Sequence, residues 1–189
     1  METGGVDDHY EILDGDGGWM VIDPNEAGHL FASYYNFGIF RYRNGKPTLS
    51  RRLRRKWSRI QFGCASLRWD ANDPRTLFTG TRACGGRATT ATWKPVSSIL
   101  DGSAISAVEI APKDSARIYI GTENGNIFRS TDRGKTWSAN LSSTDLPGHT
   151  ITRLTTQPDN AEVVYATLAN TGHSHAFSAP ATAVCTGKT

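Results

Sequence analysis

Acidic side chains at short spacing are the first places where this chain could do chemistry, and Asp14-Gly-Asp16-Gly-Gly18 holds the earliest pair. Two carboxylates on one loop could hold a hard cation or act as acid and base. An EF-hand loop opening at Asp14 needs a Glu at its twelfth position, where Asn25 stands, so that reading fails. The pair reads first as a turn, with Asp14 and Asp16 kept as weak catalytic candidates facing a ligand. The second acidic feature is Ser130-Thr-Asp132-Arg-Gly134-Lys-Thr136-Trp137. Its spacing suits a self-locking bend. Ser130 and Asp132 can bond the turn's own backbone, Gly134 can take a positive φ, and Trp137 can lid the hairpin. Asp132 is thus expected to hold a turn rather than to act as a catalytic acid.

Other reactive residues form no constellation. His149, His173 and His175 lack spacing that forces a metal site. Cys64, Cys84 and Cys185 contain no C-x-x-C pair, which argues against zinc and against a disulfide framework. Gly85-Gly86-Arg87 lacks the Gly-Lys-Ser/Thr end of a phosphate loop. Arg51, Arg52, Arg54, Arg55, Lys56 and Arg59 form the basic cluster, which could meet phosphate but reads better as a solvated loop. No metal and no cofactor are expected.

The elements that must position these residues repeat. A short apolar strand, a Pro-containing turn and a β-branched or aromatic strand recur as Trp19–Pro24 with Leu30–Ser33, then Leu67–Pro74 with Leu77–Gly80. The plan returns as Ile105–Pro112 with Ile118–Gly121, and as Ile151–Pro158 with Val163–Thr167. Pro24, Pro74, Pro112 and Pro158 are therefore 50, 38 and 46 residues apart. Proline suits the end of a strand because it cannot donate to a ladder. A period of roughly 40–50 residues suits four-stranded units stacked side by side. The expected fold is all-β: a β-propeller of about four consecutive four-stranded blades, as a partial or open ring. The blades are placed at 19–57, 62–96, 104–139 and 150–189, the last incomplete, with 1–13 as a remnant of a preceding blade. The whole of 1–189 is taken as one partial propeller.

Composition agrees with a folded chain. It has 189 residues, 38% hydrophobic and 21% charged, with net charge +3, which alone is no argument for nucleic acid. No window approaches the roughly 18–20 apolar residues of a membrane span. The polar start, Met1 to Tyr10, does not read as a signal peptide.

The 130–137 motif, the Asp-Pro turns and strands ending Gly80-Thr81 and Gly121-Thr122 resemble the Asp-box (BNR-repeat) propellers, a sortilin-like, YVTN-like group. The resemblance covers nearly the whole chain, with one intact Asp box; Trp93 and Trp57 stand where others would close. It implies a secreted or periplasmic setting and relatives that include noncatalytic assembly propellers, sialidases and xyloglucan-cleaving hydrolases. Phe40-Arg-Tyr-Arg43 departs from the Phe/Tyr-Arg-Ile-Pro motif of sialidases, which discounts that activity. The expected function is a noncatalytic binding or assembly module for a protein or carbohydrate ligand, with exposed blade edges open to self-association. A xyloglucanase-like hydrolase fragment is the alternative.

Two segments depart from the repeat. Regrouping one permitted set of codons by one base turns the 178–189 tail into FRSSDGGMYWQD from Phe177 onward, with the spacing of Phe128 to Trp137. The same offset turns Arg82 to Thr89 into RVWRTSD. Residues 83–89 and 178–189 are thus expected to be out-of-frame translations that pack poorly. Sequencing the source DNA should show codons compatible with both regroupings; incompatible codons would end the idea.

Overall fold

The computed structural model describes residues 17–34, 38–52, 66–81, 83–88, 93–142 and 148–169. Asp14, Asp16, the 1–13 remnant, Cys64, the side chains of the 51–59 basic cluster, Trp57, His173, His175, Cys185 and the 178–189 tail lie outside the described residues.

The chain divides into two compact units, Met1–Ala65 and Ser66–Thr189. Among its described residues the first holds one antiparallel sheet, ordered β1 (Gly17–Ile22), β2 (Leu30–Tyr34), β3 (Gly38–Arg43) and β4 (Lys46–Arg52). The second holds three among its described residues. Its first sheet contains β5 (Ser66–Trp69), β6 (Thr76–Gly80), β7 (Cys84–Ala88) and β8 (Lys94–Pro95). Next come β9 (Ile105–Ala111), β10 (Asp114–Thr122) and β11 (Ile127–Ser130), then β12 (Ile151–Gln157) and β13 (Asn160–Leu168). Every pairing joins strands adjacent in the chain, so the described residues are all-β meanders.

The sheets share one register. Met20 faces Ala32, Leu67 faces Thr79, Val108 faces Ile120, and Leu154 faces Ala166. In three sheets the ladder slips one residue at the same place, before the pairs Gly17–Tyr34, Ile105–Thr122 and Ile151–Leu168. This fixes equivalent positions. Leu30, Leu77, Ile118 and Val164 are one set, all buried; Phe31, Phe78, Tyr119 and Tyr165 are the next, all aromatic. Pro24, Pro74, Pro112 and Pro158 each stand in or beside the turn between the first and second strands of their sheet. The Pro74 carbonyl there accepts the Trp69 indole N–H at 2.7 Å.

Where four strands were expected in the third sheet, three form. Beyond the 130–137 bend the chain still runs beside β11, but side chains supply half of its bonds. Ser138 N–H donates to the Arg129 carbonyl, while Arg129 N–H donates to the Ser138 hydroxyl, at 2.8 and 3.0 Å. Leu141 N–H likewise reaches the Ile127 carbonyl, and Ile127 N–H reaches Asn140 Oδ1, at 2.7 and 3.0 Å. Satisfied this way, the 138–142 backbone needs no regular ladder.

Within segment 83–89, the described residues 83–88 depart from the expected poor packing. Cys84–Ala88 pairs with β6 along its whole length, and Cys84 is fully buried at the position Ile127 occupies in the next sheet. Antiparallel pairing uses the backbone of any sequence, and the small side chains leave room that neighbours fill. A Cβ on Gly86 would meet Phe78 at 3.2 Å and Val96 at 3.3 Å, and Gly85 lies near the buried Trp93 ring.

Within the Ser66–Thr189 unit the sheets interlock face to face. Phe78 and Cys84 pack against Ile105, Val108, Ile110, Ile118 and Ile120. On the other side of the third sheet, Ala107, Tyr119 and Ile127 pack against Ile151, Leu154, Val164 and Ala166. The closest approach is at glycine. A Cβ on Gly80 would stand 2.3 Å from Ile105 Cγ2, and one on Gly121 would stand 2.4 Å from Ile151 Cγ2. Gly121→Ala should therefore cost about 1–3 kcal/mol by overpacking. Gly85→Ala, whose Cβ would meet nothing closer than 3.6 Å, should be nearly neutral. Urea unfolding of the two variants checks the contrast.

Candidate functional site

The residues with the strongest chemical potential sit in turns, and the structure shows what each touches. At the end of β11, Ser130 Oγ accepts Gly134 N–H at 2.7 Å and donates to Asp132 Oδ1 at 2.8 Å. Asp132 accepts the backbone N–H of Thr136 at 2.8 Å and its hydroxyl at 2.6 Å. The bend needs two left-handed residues, Arg133 (φ 62°) and Gly134 (φ 86°). Trp137 Nε1 donates to the carbonyls of Gly134 and Val96, at 3.0 and 3.1 Å, tying the bend to the chain leaving β8. The Thr136 hydroxyl and N–H beside Asp132 hold its carboxyl down at about 2. Such a carboxylate stays ionised and is a poor general acid near neutrality.

A second acidic centre lies on the first strands of the second unit's sheets. Arg68 and Glu109 occupy equivalent positions on β5 and β9, and Arg68 Nη2 stands 2.7 Å from Glu109 Oε2. Thr156 of β12 donates its N–H and hydroxyl to Glu109 Oε1, both at 3.2 Å. One buried carboxylate thus joins three consecutive sheets. Burial pushes the Glu109 carboxyl up, and the Arg68 charge opposes that shift.

Two further carboxylates stitch loops. Asp70 is buried and accepts the Ser115 hydroxyl from the next sheet at 2.8 Å, together with Asn72 N–H. Asp101 accepts Thr122 Oγ1, Asn126 Nδ2, Ser103 N–H and Ser103 Oγ within 2.9 Å. Burial works against its charge, but those donors outweigh it and hold the group below the usual carboxylate range.

Sequence reasoning passed over the trio Asp23, Glu26 and His29, whose ligand atoms lie within 4.8 Å of one another. The signal was present in the chain: Asp23 directly follows the first strand, and the second opens just after His29. His29 is buried, with Nδ1 2.9 Å from Asp23 Oδ2. Arg41 Nε donates to His29 Nε2 at 3.1 Å, so Nε2 is the bare acceptor and Nδ1 carries the hydrogen facing Asp23. Arg43 clamps both oxygens of Glu26, at 2.6 and 2.7 Å. A metal at Nδ1 would need that hydrogen moved to Nε2, directly against the Arg41 donor. The trio fits an internal ion-pair network better than a metal centre.

Of the remaining sequence candidates, Cys84 is sealed from solvent, and burial pushes its thiol up to about 12, so it is no nucleophile. His149 is half-buried, with its backbone closely packed against Gly125 in the turn after β10. A cavity of about 780 Å³ runs beside the 130–137 bend; Val96, Ile99, Leu100 and Trp137 line it together with Arg133 and Lys135.

No protein-family model and no curated protein matches this chain. Solved structures do match its fold. An ancestral GH74 enzyme aligns over 80% of the chain and 22% of its own length, at 13% identity and TM-score 0.60. An auxiliary nutrient binding protein from Bacteroides thetaiotaomicron aligns over 82% and 36%, at 12% identity and TM-score 0.59. The C-terminal WD40 domain of Sif2 aligns over 77% and 41%, at 14% identity and TM-score 0.53. The fold is that of β-propeller blades. The chain spans well under half of each of these structures, and such low identity speaks for the fold alone.

The Asp132 geometry carries a pH consequence. A carboxylate depressed when folded contributes stability above its ordinary value of 3.8 and loses it as pH falls towards about 2. Asp132→Ala should lower Tm at neutral pH and flatten the acid limb between those values. Thermal unfolding of both proteins across pH 2–5 checks this; parallel acid limbs would contradict it.

Proposed function

We propose that this chain is a noncatalytic propeller module that binds a protein or carbohydrate, with Asp132 serving as a turn lock of the Asp-box type. The observation that supports the reading most directly is where the buried and turn carboxylates spend their lone pairs. Asp70, Asp101, Asp132 and Glu109 all accept donors from the fold itself, and each bonded set closes a turn or joins neighbouring segments. A glycosidase instead keeps two carboxyl groups free across a substrate cleft, one as acid and one as base or nucleophile. On this reading Ser130, Asp132, Gly134, Thr136 and Trp137 are structural. So are Trp93 and the turn prolines Pro24, Pro74, Pro112 and Pro158.

The GH74 likeness favours one second reading, a fragment of a carbohydrate-active hydrolase, with Asp14 and Asp16 as its carboxylate candidates. The two readings part on turnover. Incubated with xyloglucan, other polysaccharides and aryl glycosides, the chain should release no reducing ends or aglycone. Hydrolysis that vanishes in Asp14→Ala or Asp16→Ala would replace the first reading with the second. Retention on an immobilised glycan or protein panel without turnover is the outcome expected of a binding module.

A further inference from the structure

The shared register shows what each face of a blade is built to meet. One face of the third sheet, with Val108, Ile110 and Ile120, covers the sheet before it, and the equivalent face of the fourth, with Leu154 and Ala166, does the same. Met20, Ile22 and Ala32 hold those positions in the first sheet. Yet Met20 is 53% and Ile22 58% exposed, against 6% and 3% for Val108 and Ile110. In the second and third sheets the opposite face meets the following sheet through its aromatic: Phe78 and Tyr119 are 4% and 0% exposed, whereas Tyr165 of the fourth sheet is 41% exposed.

The two open faces also fit each other in size. From second sheet to third and from third to fourth, the contact sets Gly80 against Ile105 and Gly121 against Ile151. In the fourth sheet the position of Gly121 is Thr167, and in the first sheet the position of Ile151 is Gly17. The bulk has moved to the other partner. Thr167 facing Gly17 would fill the space that Ile151 fills against Gly121, without the clash that two side chains would make.

We propose that a second copy of this chain docks its fourth sheet onto the first sheet, head to tail, through Tyr165, Thr155 and Thr167 on one copy and Met20, Ile22 and Gly17 on the other. Tyr165 then lies over Met20, Leu30 and Ala32, as Tyr119 lies over Leu154, Val164 and Ala166. The contact is heterologous, so copies close a ring or run on as a filament according to the rotation between them. It uses sheet faces rather than unpaired strand edges.

The asymmetry supplies the test, on the full 189-residue chain. By light scattering after size exclusion, the unmodified chain should show a mass above one copy that rises with concentration. Ile22→Asp spoils the first-sheet face, Tyr165→Asp the fourth-sheet face, and each variant alone should fall to the mass of a single chain. Mixed, they should form a one-to-one dimer, because each retains the face the other has lost. Both substitutions are at exposed side chains, and circular dichroism confirms folding. Should an acid variant unfold, Met20→Ser and Tyr165→Ser replace the pair, with the same pattern expected. An unmodified chain that stays monomeric, association that survives both variants, or a mixture that does not pair would each overturn the proposal.

Discussion

Consecutive sheets in the Ser66–Thr189 unit stand as close as Gly80 and Gly121 allow, because each presents bare backbone to the isoleucine that opens the next sheet. That spacing brings Tyr119 down onto Ile151, Leu154, Val164 and Ala166, and Ile118 and Ile120 into the cluster with Phe78. Packing at this density leaves little slack, so one added methyl is felt along the whole face. The polar groups follow from the same closeness. Ser106 Oγ reaches the Ile151 carbonyl at 2.6 Å, and Glu109 reaches both Arg68 and Thr156. A wider gap would leave those groups buried and unsatisfied.

The carboxylates act within that constraint. Asp132 and Asp101 stay ionised because hydroxyl and amide donors surround them. Glu109 is different: it is sealed among apolar strands, and its charge is tolerated chiefly through Arg68. Truncating Arg68 would leave that charge buried and uncompensated, the costly way to break such a pair. The acidic residues that look most chemical thus work as joints between loops and sheets.

Legibility varied with the range of the interaction. The turn prolines, the strand pairs beside them and the bend at 130–137 depend on residues a few positions apart, and their types stand in plain view in the chain. The missing fourth ladder of the third sheet was not legible. It turns on Ser138 and Asn140 side chains taking the place of carbonyls, a choice that only the finished geometry displays. Nor was the strand at Cys84–Ala88, since Cys-Gly-Gly offers no β preference and is held by neighbours that fill the space beside it. The His29 network escaped for a related reason. Asp23 and Glu26 are near it in sequence, but the arginines that complete the network come from β3 across the sheet.

The sequence by itself determined the class of fold and its period. Alternating apolar residues, strand-ending prolines and a glycine bend are local constraints, and their recurrence specifies meanders of one kind. Tertiary structure decided what the acidic and aromatic side chains do. Whether a carboxylate is a catalyst or a joint depends on which donors reach it, and whether a tyrosine is core or surface depends on whether a sheet lies over it. Tyr119 and Tyr165 occupy the same register position and differ in just that respect, one fully buried and one 41% exposed.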